Sequence, residues 1–492
     1  MRAGSLARRL ASGGAWALGG KAATVLGGLA SGMLLSRLLT PDALGGYLLA
    51  ASLAAAGAIA GSAGLPQAVV RLVAGGLGAG RQARARSALA VTFALGAAGA
   101  VGTGLLYAGF GGALAAGLLG TRALLPLTGL VAAWIAVLAV QGLVTEAFRG
   151  LGDFRWAAVL GGPLPAVLFA AALLAAGWRH LPLAAARHHL PSAPGWRDLP
   201  PGGTALSTVV LLAVATAALA TLPGAWALRR RAGRLPRPRS GGERVAPGAL
   251  LRIACPLLVT SLTLFAAAHA DLWIVGALRP HREVAVYGVA ARAATVVAMP
   301  LLVVNAVLPP VVAELHAQGR RDELERVLRG AAALAGLPAL AALAALAIAG
   351  GPLLGLMYGH AYRAGGAVLT LLACGQAAVV CTGSCGLTLA MTGRQALLAT
   401  ATGIGGGLTV VAAALAARPF GTTGVAAATA AGLVLQNLAM LVAVRLTAGV
   451  WTHLSLAPLL GAARAFRAGG RVPAADGGRV PAADGRAAAH ER

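Results

Sequence analysis

The stretch "GGYLLAASLAAAGAIAGSAGLP", residues 45–66, decides the fold. It carries no Asp, Glu, Lys, Arg or His, and as a helix it is long enough to cross the roughly 30 Å hydrocarbon core of a bilayer. Runs of this kind recur along the whole 492-residue chain, at about 15–36, 43–65, 87–108, 123–145, 156–177, 204–228, 253–278, 285–311, 331–350, 365–390, 396–416 and 423–446. The composition agrees: 58% of residues are hydrophobic and 11% charged, where a soluble domain carries about a quarter charged residues. The chain reads as an all-α polytopic membrane protein of about twelve transmembrane helices.

The same stretch has a counterpart. "VYGVAARAATVVAMPLLVVNAVLP", residues 286–309, also opens with a tyrosine, continues through small residues and ends at a proline before a basic segment. "GDFRWAAVLGGPLPAVLFAAALLAAG" from Gly152 and "GRQALLATATGIGGGLTVVAAALAARP" from Gly393 form a second such pair. The spans therefore divide into two six-helix lobes, 1–228 and 253–450, with an arginine-rich linker at 229–252 and a low-complexity tail at 451–492. An even number of spans per lobe makes these parallel repeats about an axis along the membrane normal.

The formal charge of +26 would point to nucleic acid in a soluble chain. Here its distribution matters more than its sum. With the N-terminus inside, the inside segments hold 29 basic residues and the outside loops nine, with Lys21 and Arg292 left within helices. That asymmetry follows the positive-inside rule and predicts cytoplasmic termini. "MRAGSLARRLASGGAWALGG" resembles the start of a signal peptide, but the apolar run continues to about Ser36 and reads as an uncleaved first helix.

Signals for enzyme chemistry are thin. Gly20-Lys21 lacks the Gly and Ser/Thr that a phosphate loop needs, since positions 15 and 22 are both Ala. Cys255, Cys374, Cys381 and Cys385 lie in apolar runs with no zinc-ligand spacing, so no metal and no cofactor is expected. The 178–203 loop, with His180, His188 and His189, reads as solvated, and the repeated "RVPAADG" of the tail as disordered.

Polar side chains within the spans need another explanation. A charge at the centre of a membrane helix costs at least ~2.5–3.5 kcal/mol on insertion scales, so it marks function or a pairing. Asp271 and Arg292 sit about seven residues inside the outer ends of the seventh and eighth spans, at matching predicted depth. Two readings stay open: a buried ion pair that fixes helix packing, or a polar cavity that binds substrate or a coupling ion. Lys21 either snorkels to the surface or lines the cavity, and Asn305 is a weaker cavity candidate. Arg37 reads as an interfacial anchor. Gly28-x-x-x-Gly32 and Gly57-x-x-x-Gly61 read as close helix contacts.

"LLSRLLTPDALGGYLLAASLAAAGAIAGSAGLPQAVVRLVA" (34–74) resembles the opening of the bacterial polysaccharide-biosynthesis flippases of the multidrug/oligosaccharidyl-lipid/polysaccharide exporter superfamily. "ADLWIVGAL" (270–278), "VYGVAARAATVVAMPL" (286–301), "VLPPVVAEL" (307–315) and "LTLAMTGRQ" (387–395) are similar to later elements of that pattern, so the resemblance covers roughly residues 10–450. Tyr287-Gly288 departs from it, because the family has Gly before Tyr; the arginine linker and the histidine loop depart too.

The resemblance implies two six-helix lobes around a central cavity that opens alternately to each face, an alternating-access flippase and not an enzyme, in the bacterial inner membrane. Its cargo would be an oligosaccharide on polyprenyl pyrophosphate, and its partners would include glycan polymerase or glycosyltransferase machinery. Arg292 and Lys21 would hold phosphate or sugar hydroxyls. Asp271 would restrain Arg292 or take up a coupling ion, proton or sodium. A cation-coupled multidrug exporter of the same superfamily is the nearest rival, and a membrane glycan polymerase or ligase the next. Lipid II flippases are relatives with two further helices, for which this chain has no room.

Overall fold

In the computed structural model, residues 3–119, 122–186, 206–238 and 244–455 are described, and every regular element among them is helical. The first lobe comprises α1 (Ala3–Leu38), α2 (Pro41–Gly61), α3 (Leu65–Gly78), α4 (Gln82–Leu106), α5 (Gly112–Leu119), α6 (Thr128–Gly150), α7 (Phe154–Leu160), α8 (Pro163–Ala186) and α9 (Leu206–Arg234). The second comprises α10 (Pro247–Leu278), α11 (His281–Ala294), α12 (Met299–Asn305), α13 (Leu308–Ala317), α14 (Arg321–Tyr358), α15 (Gly366–Thr382), α16 (Cys385–Met391) and α17 (Gln395–Ala448).

Among the described residues, ten helical stretches are long and apolar enough to cross a membrane. The longest, α17, has 54 residues and holds two of the expected spans, joined at Gly421 where φ is 61° and ψ −147°. With that extra span and α1, the total is the expected twelve. Apolar side chains point outward as a lipid-facing surface requires: Ile348 on α14 is 85% exposed.

The spans are less continuous than hydropathy suggests. The second ends at Gly61, a turn takes up 62–64, and α3 starts afresh with Pro66 in its first turn. In the second lobe the chain breaks after Asn305, and α13 likewise starts with Pro309. Proline suits a helix's first turn, where its missing N–H has no partner to lose. The two prolines of the repeat thus end one helix and begin another at the same end of each lobe. The fifth span breaks between α7 and α8, and the tenth between α15 and α16.

The loop residues 79–81, 151–153, 235–238, 244–246, 318–320 and 392–394 share one end of the bundle, called the basic end below for the arginines it gathers. The linker is shorter than expected, because α9 continues to Arg234 and α10 opens at Pro247. What remains is tied to the first lobe. Arg86 donates to the carbonyls of Gly233 and Leu235, Ser87 Oγ accepts from Val245 N at 2.9 Å, and Arg231 pairs with Asp153. Nor is the start of the tail free: Thr452 is fully buried in the second lobe.

The lobes meet along α2, which packs on α10 and α11. Gly45 allows the closest approach, since a Cβ there would lie 2.0 Å from the His281 carbonyl oxygen. Trp273 Nε1 donates to Ser52 Oγ at 2.9 Å along the same seam. Arg37, expected as an interfacial anchor, donates instead to the Leu356 carbonyl at 2.9 Å and so ties α1 to α14. Gly57 packs on the Ile135 side chain and Gly61 on Thr103, as the small-residue spacing predicts.

Candidate functional site

Asp271 and Arg292 do not pair. The Tyr287 hydroxyl donates to Asp271 Oδ2 at 2.7 Å, and the Leu272 amide donates to Oδ1 at 2.8 Å. The cause is where α11 begins. It starts at His281, four residues before the expected span. At ~1.5 Å per residue, Arg292 therefore lies ~16 Å from its helix start, while Asp271 lies ~10 Å from the neighbouring end of α10. Tyr287 sits at Asp271's level, and five residues at ~100° each carry Arg292 to another face of the helix.

That other face looks across the lobe seam. The Arg292 guanidinium lies beside α1 at Gly32, where a Cβ would be 3.8 Å from Nη1 and 3.8 Å from the Tyr358 hydroxyl. The Tyr358 hydroxyl is buried and has no hydrogen-bond partner among the described residues. No acid pairs with Arg292 among those residues either. A cation and a hydroxyl with spare donors thus meet where α1 crosses the second lobe.

A cavity of about 620 Å³ opens elsewhere, in the basic half of the first lobe. Along α6 it runs from Leu138 to Arg149, a length of ~16 Å. Its polar lining includes Gln67, Gln141, Thr145, Glu146, Arg149 and, from the second lobe, Ser261. Gln67 Nε2 donates to Ser261 Oγ at 3.0 Å, which fastens the lobes at its edge. Gln141 Nε2 donates to the Leu160 carbonyl at 3.3 Å, the last residue of α7, where the helix break leaves that acceptor open. Arg149 Nη1 donates to Glu146 Oε1 at 2.6 Å.

Asp271, Arg292 and Asn305 do not line this cavity. The Lys21 side chain lies outside the described residues; of its neighbours on α1, two pack on the fifth span. Gly20 packs against Ala158 and Thr24 against Gly162, a cavity residue. Asn305 Oδ1 accepts from Ser384 Oγ at 2.5 Å, bridging the end of α12 to the break between α15 and α16. The histidines at 188 and 189 and the repeated octapeptide also lie outside the described residues. All four cysteines are free, and no cluster among the described residues could hold a metal ion.

Sequence reasoning missed Glu146, Gln67 and Gln141. The expected fourth span, 123–145, stops short of Glu146 and Arg149, whereas α6 continues to Gly150. The only available signal was their i, i+3 spacing, which puts them on one helix face. Tyr287 enters the sequence pattern as part of the repeat and the family motif, and only the fold makes it the partner of an acid.

No protein-family model matches the chain, and no curated protein does. Solved structures do. A lipid II flippase, MurJ, in an inward closed conformation, superposes with a TM-score of 0.65 at 13% identity, over 90% of this chain and 88% of that one. An inward-facing multidrug resistance MATE family transporter of the MOP superfamily gives 0.62 at 16%, over 86% and 94%. A MOP superfamily transporter from Pyrococcus furiosus, whose binding pocket is described as reversed in polarity, gives 0.58 at 14%, over 89% and 95%. This chain is thus a multi-pass membrane protein with the two-lobe helical fold of these transporters.

Proposed function

We propose that this protein is a flippase of the multidrug/oligosaccharidyl-lipid/polysaccharide exporter superfamily. It moves a polyprenyl-pyrophosphate-linked oligosaccharide or related glycolipid across the bacterial cytoplasmic membrane by alternating access. The observation that carries this reading is Arg292, a cation within a span and without an acidic partner among the described residues, set with the unpartnered Tyr358 hydroxyl of the same lobe against Gly32 of α1 at the lobe seam. A charge held at membrane depth without a counter-ion suits an anionic cargo, and guanidinium suits phosphate oxygens. Lys21, one helix away from the cavity, would contribute a second cation. The basic end would face the cytoplasm with both termini, and glycan polymerase or glycosyltransferase machinery would supply or receive the cargo.

Asp271 then has its own role. Its carboxylate is held inside the second lobe by Tyr287, away from the cargo's phosphate, which suits a site for a coupling proton or sodium ion. Glu146 in the cavity lining favours the rival reading, a cation-coupled multidrug exporter, because an acid suits a cationic drug.

The two readings separate in proteoliposomes that contain the full-length protein. The flippase reading expects inward-to-outward movement of a fluorescent polyprenyl-pyrophosphate oligosaccharide, lost in R292A and reduced in D271N. Export of a lipophilic cation without glycan movement would establish the rival.

A further inference from the structure

The Glu146–Arg149 pair has no structural task that requires it. It joins residues three apart in the last turns of α6, with side-chain exposures of 21% and 49%, and such a pair adds little to stability. It also stands within the cavity. The contact is single-pointed: Arg149 Nη1 meets Glu146 Oε1. Among the described residues, no further partner occupies the remaining guanidinium N–H groups or the second carboxylate oxygen.

The surroundings are biased toward an anion. Nearby Asp153 is already held by Arg231, and Arg71 lies exposed on α3 one turn beyond the cavity residue Gln67. The amide nitrogens of Gln67 and Gln141 are engaged with Ser261 and Leu160, which turns their orientation into a fixed feature. Their side-chain oxygens remain as acceptors for hydroxyl groups.

We propose that Arg149 is the binding residue of an oxyanion subsite in this cavity, and that Glu146 is the resident counter-ion an incoming anion displaces. The subsite is separate from Arg292, which lies in the other lobe. It rests on the transport reading, and it selects cargo that carries an acidic group among hydroxyls. The oxyanion has two chemical sources, the pyrophosphate of the carrier or the carboxylate of an acidic sugar. A built-in competitor makes binding reversible, because the guanidinium is never left without an anion when the cargo departs.

The test is equilibrium binding of inorganic pyrophosphate and of glucuronate to the purified full-length protein in lipid nanodiscs. For at least one probe, E146Q should tighten binding by about 2- to 5-fold, the scale on which a half-exposed ion pair competes. R149Q should weaken it by more than about 10-fold. The probe that responds names the source. R149K keeps the charge if R149Q misfolds, and should bind more tightly than R149Q. Equal affinity in wild type, E146Q, R149K and R149Q overturns the proposal and leaves the pair as a helix-end contact. Loss of both probes in R292Q alone also overturns it, while leaving the flippase reading intact. That reading fails separately, if R292A moves the lipid-linked oligosaccharide at the wild-type rate.

Discussion

The Tyr287 hydroxyl donates to Asp271 across 2.7 Å, joining α11 to α10 within one lobe and leaving Arg292 out of the pairing. A half-buried acid thus has a neutral donor as its partner, while the nearby cation faces the other lobe. Helix phase explains this: Tyr287 and Arg292 are five positions apart on the same helix and point in different directions.

A double-mutant cycle reads this arrangement directly. D271N and R292Q should be additive in unfolding free energy within about 0.5 kcal/mol, because the groups share no partner. D271N and Y287F should couple, since either change removes a hydrogen bond to a charged group worth about 1.5–3 kcal/mol. Reversible unfolding in mixed micelles is the measurement, and a D271N–R292Q coupling above about 1 kcal/mol would contradict the geometry.

At the lobe seam, Gly45 leaves no room for a side chain, with the His281 carbonyl oxygen 2.0 Å from the Cβ position. G45A should push α2 from α11 at the end opposite the arginines. We expect destabilisation of about 1–3 kcal/mol, the usual scale for overpacking, and greater labelling of cysteines placed along that seam. Unchanged melting together with unchanged labelling would show that the lobes do not meet so closely.

The chain after α17 closes the break in the tenth span. Thr452 Oγ1 donates to the Thr382 carbonyl at 2.8 Å, and the Leu454 amide to the Cys381 carbonyl at 2.7 Å. The two acceptors are freed where α15 stops, and Gly383, with φ at +76°, turns the chain there. T452V keeps the shape but strands the Thr382 carbonyl, at a cost of about 1–3 kcal/mol. Amide exchange across 380–385 should accelerate in T452V; unchanged exchange would mean the strap is dispensable.

His453, beside Trp451 in that strap and outside the spans, gives it a pH dependence. Burial, then the positive charge of Arg329, lowers its pKa from the usual 6.5, with Glu325 opposing. In the unfolded chain the imidazole binds its proton more readily, so the strap's stability is complete above pH about 6.5. It declines as pH falls toward the lower folded value. Exchange protection of 449–455 should therefore weaken between about pH 7 and pH 5 in the wild type and lose that dependence in H453A.

The sequence by itself determined the twelve spans, the two-lobe repeat and the gathering of arginines at one end. These depend on sums: twenty apolar residues bury a helix in lipid wherever it points, and a proline after "GL" or "VL" breaks both repeats alike. Only the tertiary structure decided which polar groups meet. A helix that starts four residues earlier than its hydropathy edge shifts every depth by ~6 Å and every face by ~40°. That shift separated Arg292 from Asp271, and a similar extension of α6 brought Glu146 and Arg149 into the cavity. Hydropathy integrates over a whole span and tolerates such a shift; a hydrogen bond, with a reach of about 3 Å, does not.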